Sequence, residues 1–170
     1  MAIKTVAVVG AAGSLGAHIV SALLAANFTV TAITRPTSTS TFPQGVPVRR
    51  ADPSSFEELK AALAGQDAVV SASGAPAVIG AGQDPLIDAA AAAGVRRFIP
   101  SEYGHGAHRF SEDEPLKEII GRKIRTLEYV KEKAQRNEGF SWTAVATSMW
   151  FDWVSDFYYI VLWVTDTDLW

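Results

Sequence analysis

Val6-Ala-Val-Val-Gly10-Ala11-Ala12-Gly13-Ser14-Leu15-Gly16 carries a short apolar run directly into three glycines, after which Ser14–Ala26 follows a helical pattern. The run has the length and β-branched content of a buried strand. At a strand-to-helix junction each glycine has its own task. Gly10 permits the tight turn, Gly13 lets the backbone approach a pyrophosphate, and Gly16 lets helix and sheet pack closely. The helix N-terminus adds free N–H groups and a partial positive charge suited to phosphates. A glycine loop alone is as compatible with a structural turn as with a ligand. At the first strand–helix junction of a βαβ unit it points to dinucleotide binding.

Working outward, apolar runs at Val6–Val9, Thr29–Ile33, Val46–Val48, Ala68–Val70, Phe98–Ile99 and Thr143–Ala146 read as strand centres. Helical patterns separate them. Ser54 and Ser55 precede Glu57 and Glu58 as overlapping capping boxes for a helix over Phe56–Ala64. An alanine-rich helix over Gln83–Ala93 stops at Gly94. Ser111 with Glu114 forms a further capping box for a long helix that runs to about Arg136. This alternation predicts an α/β fold, a doubly wound parallel sheet of the Rossmann kind in the order 3-2-1-4-5-6. Residues 1–148 are expected to form the dinucleotide-binding domain. Residues 149–170 hold eight of the 17 aromatics and four of the five tryptophans, and read as a remnant or altered start of a second domain.

The chain has 170 residues, 48% hydrophobic and 19% charged, with a net charge of −3. That composition suits one folded domain and excludes global disorder. No Lys/Arg-rich run marks a nucleic-acid partner. Phe157–Val164, the longest apolar stretch, is far short of the ~20 residues of a membrane-spanning helix. Cysteine is absent, which removes disulfides, a thiolate nucleophile and Cys-based zinc sites. With no signal-peptide pattern at the N-terminus, a cytoplasmic location is expected.

Residues 1–51 carry Lys4, Arg35, Arg49 and Arg50 and no carboxylate. An NAD site usually places an acidic residue at the end of the second strand to bind the ribose 2′-hydroxyl. Here the sequence is Thr34-Arg35-Pro36 and the first acid is Asp52. A guanidinium pairs with a 2′-phosphate where a carboxylate would repel it. Arg35, with hydroxyls of Ser38, Thr39 and Ser40 near it, therefore favours NADP(H). Asp52 either accepts from the adenine amine or caps the Asp-Pro-Ser-Ser turn. Ser73 and Gly74 close the fourth strand at the sheet edge where ligands bind, and are candidate cofactor neighbours.

For catalysis, Tyr129-Val-Lys-Glu-Lys133 has a Tyr-x-x-x-Lys spacing, and Lys123 stands alone. At about 100° per residue, Leu116, Ile120, Ile124, Leu127, Val130 and Ala134 define one apolar face. Lys123 falls near its middle, whereas Tyr129 and Lys133 are expected on the opposite, solvated side. An ammonium on an apolar face is costly unless it is used, and desolvation moves its pKa toward the range of acid/base work. Lys123 is thus the candidate catalytic residue, the alternative being a side chain that snorkels from the core edge. His105 and His108 are candidates for substrate contact, with no further ligands to suggest a metal. Glu102 could orient Lys123 or face water.

The chain resembles the NmrA-like and isoflavone-reductase-like group of atypical short-chain dehydrogenases, its fungal members in particular. The resemblance rests on Gly10–Gly16, Arg35, Arg97-Phe-Ile-Pro-Ser-Glu-Tyr-Gly104, the Lys123–Ala134 helix, and Phe140-Ser-Trp-Thr-Ala-Val-Ala-Thr147 running into Trp150-Phe-Asp-Trp153. It implies an NADPH-dependent reductase of a small aromatic or carbonyl-type substrate, or an NADP-sensing regulator that binds a protein partner without turnover. It also implies one essential lysine, matched by Lys123; a register two positions earlier places Gly121 there. Such relatives are roughly twice as long, so the half that builds the substrate pocket is expected to be missing.

Overall fold

In the computed structural model, which describes residues 2–74, 82–104, 117–147 and 163–165, strand and helix alternate through most of the chain. The elements are β1 (Thr5–Val9), α1 (Ser14–Ala25), β2 (Thr29–Thr34), β3 (Val48–Arg50), α2 (Phe56–Leu63), β4 (Ala68–Ser71), α3 (Asp84–Ala92), β5 (Arg97–Ile99), α4 (Lys117–Arg136), β6 (Ser141–Trp142), β7 (Ala144–Ala146) and β8 (Trp163–Thr165). Strands β1 to β6 form one parallel sheet in the order β3-β2-β1-β4-β5-β6. This is the order expected from the sequence.

The reason lies in period-two burial on both faces. Ala7, Ile33, Val69 and Phe98 point into one core with Leu59, Leu63, Leu86, Ile87 and Val130 from α2, α3 and α4. Val6, Val8, Val30, Ala32, Ala68 and Val70 point into the other, where Val20, Ile19 and Leu23 of α1 cover them. A sheet buried on both sides must carry helices on both sides. The strand order reverses between β1 and β4, and ligand crevices form at the carboxyl ends of strands there.

Two strand expectations shift. The third strand begins at Val48, not Val46: Val46 N–H closes a turn onto the Pro43 carbonyl, and pairing starts at Ala32 opposite Val48. The last sheet strand is Ser141–Trp142, in register with Arg97 and Phe98. Ala144–Ala146 leaves the sheet and pairs antiparallel with Trp163–Thr165, a strand that composition did not signal. The Ser111–Glu114 capping box lies outside the described residues.

The face of α4 is also rotated from its expected setting. Thr126 and Val130 are its deeply buried residues alongside Ile120, while Ile124 and Leu127 are half-buried. Tyr129 and Lys133 are consequently not on a solvated side. Tyr129 packs against the first core, its hydroxyl donates to Asp88 Oδ1 of α3 at 2.7 Å, and Lys133 pairs with the same carboxylate. Asp88 lies on α3, so these contacts pin α4 to α3.

Candidate functional site

The β1–α1 junction is built by lack of room. Gly10 has φ +76°, and a Cβ there would lie 2.5 Å from the Ala72 carbonyl oxygen. A Cβ on Gly16 would lie 2.1 Å from the Gly10 carbonyl oxygen, so the first turn of α1 rests directly on the loop. Gly13 N–H donates to the Gly10 carbonyl at 2.9 Å, and the Gly13 carbonyl accepts from Ala17 N–H at 3.0 Å. Ser14, Leu15 and Gly16 therefore precede the first intrahelical donor, and their N–H groups are the free ones of the helix start. The first turn carries no acidic side chain and no side-chain cap. That donor set suits an anion such as a pyrophosphate. Ala11 is buried in the second core, whereas Ala12, Gly13 and Ser14 are exposed and Leu15 is half-buried.

Ser73 and Gly74 follow β4 immediately beside Ala72, which brings them to the glycine loop, and Gly74 is exposed. Ser73 accepts through its carbonyl from Ser101 Oγ at 2.8 Å, and its own Oγ lies 3.3 Å from Ser71 Oγ. Ser101 N–H donates to Gln83 Oε1 at 2.8 Å. Gln83 Nε2 is buried without a hydrogen-bond partner among the described residues. Neither Ser101 nor Gln83 was given a site role from the sequence, although Ser101 stands in the Arg97–Gly104 stretch and Gln83 heads the alanine-rich helix.

Arg35 is exposed at the end of β2. Asp52 is exposed after β3, and its Oδ1 accepts from Ser54 N–H at 2.8 Å and from Ser54 Oγ at 2.6 Å. It thus caps the turn into α2, and the Ser54 hydroxyl is the main cause of a carboxyl held below its ordinary value. Ser55 supplies the N-cap itself, accepting from Glu58 N–H.

Lys123 lies at the segment that follows β5. Its Nζ is 4.0 Å from Glu102 Oε2. A Cβ on Gly104 would sit 3.6 Å from the same nitrogen. Glu102 is buried, and its Oε1 has no hydrogen-bond partner among the described residues. Burial pushes the Glu102 carboxyl up to about 7, with the Lys123 charge pulling the other way. Burial likewise holds the Lys123 ammonium below the ordinary lysine value, opposed by Glu102. Tyr103, beside them, is pushed up to about 12 by burial. A lysine whose ammonium is destabilised by burial, set next to a buried carboxyl, is a candidate for moving a proton. Gly121 is exposed with open space at its Cβ position. His105 and His108 lie outside the described residues. Among the described residues no helix is long and apolar enough to cross a membrane.

The NmrA-like family model matches residues 2–166. Oxidoreductase aprR of Aspergillus flavus is 44% identical over 149 residues, which cover 86% of this chain and 48% of that protein. Isoflavone reductase homolog IRL of Zea mays is 35% identical over 128 residues, covering 69% of this chain and 41% of that one. The solved structure of AtPrR2 with NADP+ and (+)pinoresinol superposes with a TM-score of 0.75 at 27% identity, over 89% of this chain and 52% of that one. The chain spans about half the length of the curated relatives it matches.

Proposed function

This chain belongs to the NmrA-like family, and we infer that it binds NADP(H) and serves as the cofactor half of a reductase for a small aromatic or carbonyl-type substrate. The observation that carries this reading is the β1–α1 junction, where Gly10 and Gly16 leave no space for a Cβ and the first turn of α1 offers unpaired N–H groups. Gly10–Gly16 would hold the pyrophosphate, with Ala11 and Ala12 forming the turn and Ser14 and Leu15 the helix start. Arg35 would pair with the 2′-phosphate. Ser54 engages Asp52 through Oδ1, so Oδ2 is the oxygen offered to the adenine amine. Ser73 and Gly74 would flank the nicotinamide side. Residues 1–148 would make up this cofactor-binding unit.

When bound, the reduced nicotinamide supplies a hydride to the acceptor carbon. Lys123 would pass a proton from its ammonium to the acceptor oxygen, and the buried Glu102 beside it keeps that proton available. The test is a titration of the purified chain with NADPH and, in parallel, with NADH, followed by an acceptor screen. Expected is NADPH binding at least tenfold tighter, a gap of ~1.4 kcal/mol, together with turnover that Lys123→Ala abolishes while cofactor binding persists. Binding without turnover would favour a dinucleotide sensor that acts through a protein partner. Binding of neither nucleotide would refute the cofactor reading for this chain.

A further inference from the structure

Arg50 ends β3 directly opposite Thr34, the last residue of β2, in parallel register. Its guanidinium reaches across to the segment that leaves β2. Nη1 lies 2.7 Å from the Ser38 carbonyl oxygen, 3.3 Å from that of Pro36 and 3.4 Å from that of Arg35. Ser38 N–H closes the same turn onto the Arg35 carbonyl at 3.0 Å. The hydroxyls of Ser38 and Ser40 lie 3.2 Å apart on it. Three carbonyl oxygens turned toward one point repel one another unless a donor, best a cationic one, stands between them. Arg35, Pro36 and Thr37 are exposed, so little apolar burial is available to set their conformation. The sequence upstream of Asp52 holds no carboxylate, and Asp52 itself is turned onto Ser54. Two guanidinium groups therefore stand at adjacent strand ends with no acid from that stretch between them.

We propose that Arg50 is a specificity-determining positioning residue: by gathering the carbonyls of Arg35, Pro36 and Ser38, it sets the turn that presents Arg35 and the Ser38 and Ser40 hydroxyls to the 2′-phosphate of NADPH. The proposal rests on the NADP(H) reading above. It extends that reading by assigning the shape of the phosphate-binding turn to a residue on the neighbouring strand. NADH lacks the phosphate that this turn receives, so the effect of Arg50 falls on the NADPH-to-NADH ratio and spares the affinity that both nucleotides share.

The experiment measures NADPH and NADH affinity by fluorescence titration for the wild type, Arg50→Ala and Arg35→Ala, and amide hydrogen exchange of a peptide spanning residues 34–41 without nucleotide. Expected for Arg50→Ala is an NADPH affinity about tenfold weaker, an NADH affinity within about twofold of wild type, and faster exchange in the turn. Equal weakening of both nucleotides overturns the proposal, because it marks a general structural role. Weaker NADPH binding with unchanged exchange also overturns it, because Arg50 would then touch the phosphate itself. A wild-type chain with no preference for NADPH removes the underlying cofactor reading and the proposal with it. If the wild type prefers NADPH and Arg35→Ala abolishes that preference while Arg50→Ala does not, Arg50 alone is excluded. Should Arg50→Ala fail to fold, Arg50→Gln, whose shorter neutral amide cannot span the three carbonyls, is expected to lose most of the preference; a wild-type ratio in that variant overturns the proposal.

Discussion

Lys123 Nζ stands 4.0 Å from Glu102 Oε2, between side chains that are 13% and 3% exposed. Two ionisable groups withdrawn from water are each pushed toward neutrality, while their mutual attraction resists that push. The folded Glu102 carboxyl keeps its proton up to about pH 7, against an ordinary value of 4.5. Between those values the native state binds more protons than the unfolded chain. Its stabilising contribution is complete below the ordinary value and is lost as pH rises through about 7. Thermal unfolding of the wild type between about pH 5 and about pH 8 should show a decline that Glu102→Gln flattens. An equal decline in both proteins would remove Glu102 as its source.

Gly16 tests the architecture of the loop. A methyl group at 2.1 Å from the Gly10 carbonyl forces the first turn of α1 away from β1. Gly16→Ala is expected to cost ~1–3 kcal/mol of stability, the usual range for overpacking, and to abolish measurable NADPH binding. Denaturant unfolding and fluorescence titration report the two effects separately. Wild-type NADPH affinity in this variant would show that the nucleotide does not lie on the loop.

Arg35 distinguishes the two nucleotides. Its replacement by Ala removes the guanidinium expected to meet the 2′-phosphate. NADPH affinity should fall at least tenfold, about 1.4 kcal/mol, with NADH affinity nearly unchanged. Parallel titrations at fixed salt measure this, and an equal loss for both nucleotides would place Arg35 outside the phosphate subsite.

Tyr129 has the spacing of a catalytic tyrosine and the surroundings of a structural one. Its hydroxyl donates to Asp88 Oδ1, which also receives Lys133. Tyr129→Phe is expected to lower stability by about 1 kcal/mol and to leave NADPH affinity and any turnover unchanged. Loss of turnover in a folded Tyr129→Phe variant would return the tyrosine to the chemistry.

At the amino-terminal ends of the strands, Asp67, just before β4, ties the start of β1 to the start of β5. Its Oδ2 accepts from Lys4 N–H at 2.8 Å and Thr5 N–H at 2.9 Å, and Oδ1 lies 2.8 Å from Arg96 Nη2. The Arg96 guanidinium, followed by those N–H groups, holds the carboxyl well below the usual carboxylate range. A lowered folded value stabilises the protein above the ordinary value of 3.8 and is lost as pH falls through the folded one. Asp67→Asn should therefore start less stable at neutral pH and lose less on acidification, as read from unfolding midpoints across the acid range.

The residues alone determined the sheet order, the glycine loop and the basic end of β2. Those features are local: an uninterrupted apolar run along Val6–Val9, glycines at a strand–helix junction, and a cation where an acid would ordinarily stand. They also marked Lys123, because one ammonium on an apolar stripe stands out whatever its neighbours are. Tertiary structure decided how α4 is rotated in its seat, and so moved Tyr129 and Lys133 from the expected solvated side onto Asp88. Hydrophobic periodicity says which residues share a face; how far that face turns toward α3 depends on the partner's side chains. The same holds for Arg50, which in the chain is one of four basic residues ahead of Asp52 and in the fold the centre of three carbonyls. It also holds for β6, which ends at Trp142 although the apolar run continues. Pairing is settled between backbones far apart in sequence, and only packing brings those backbones together.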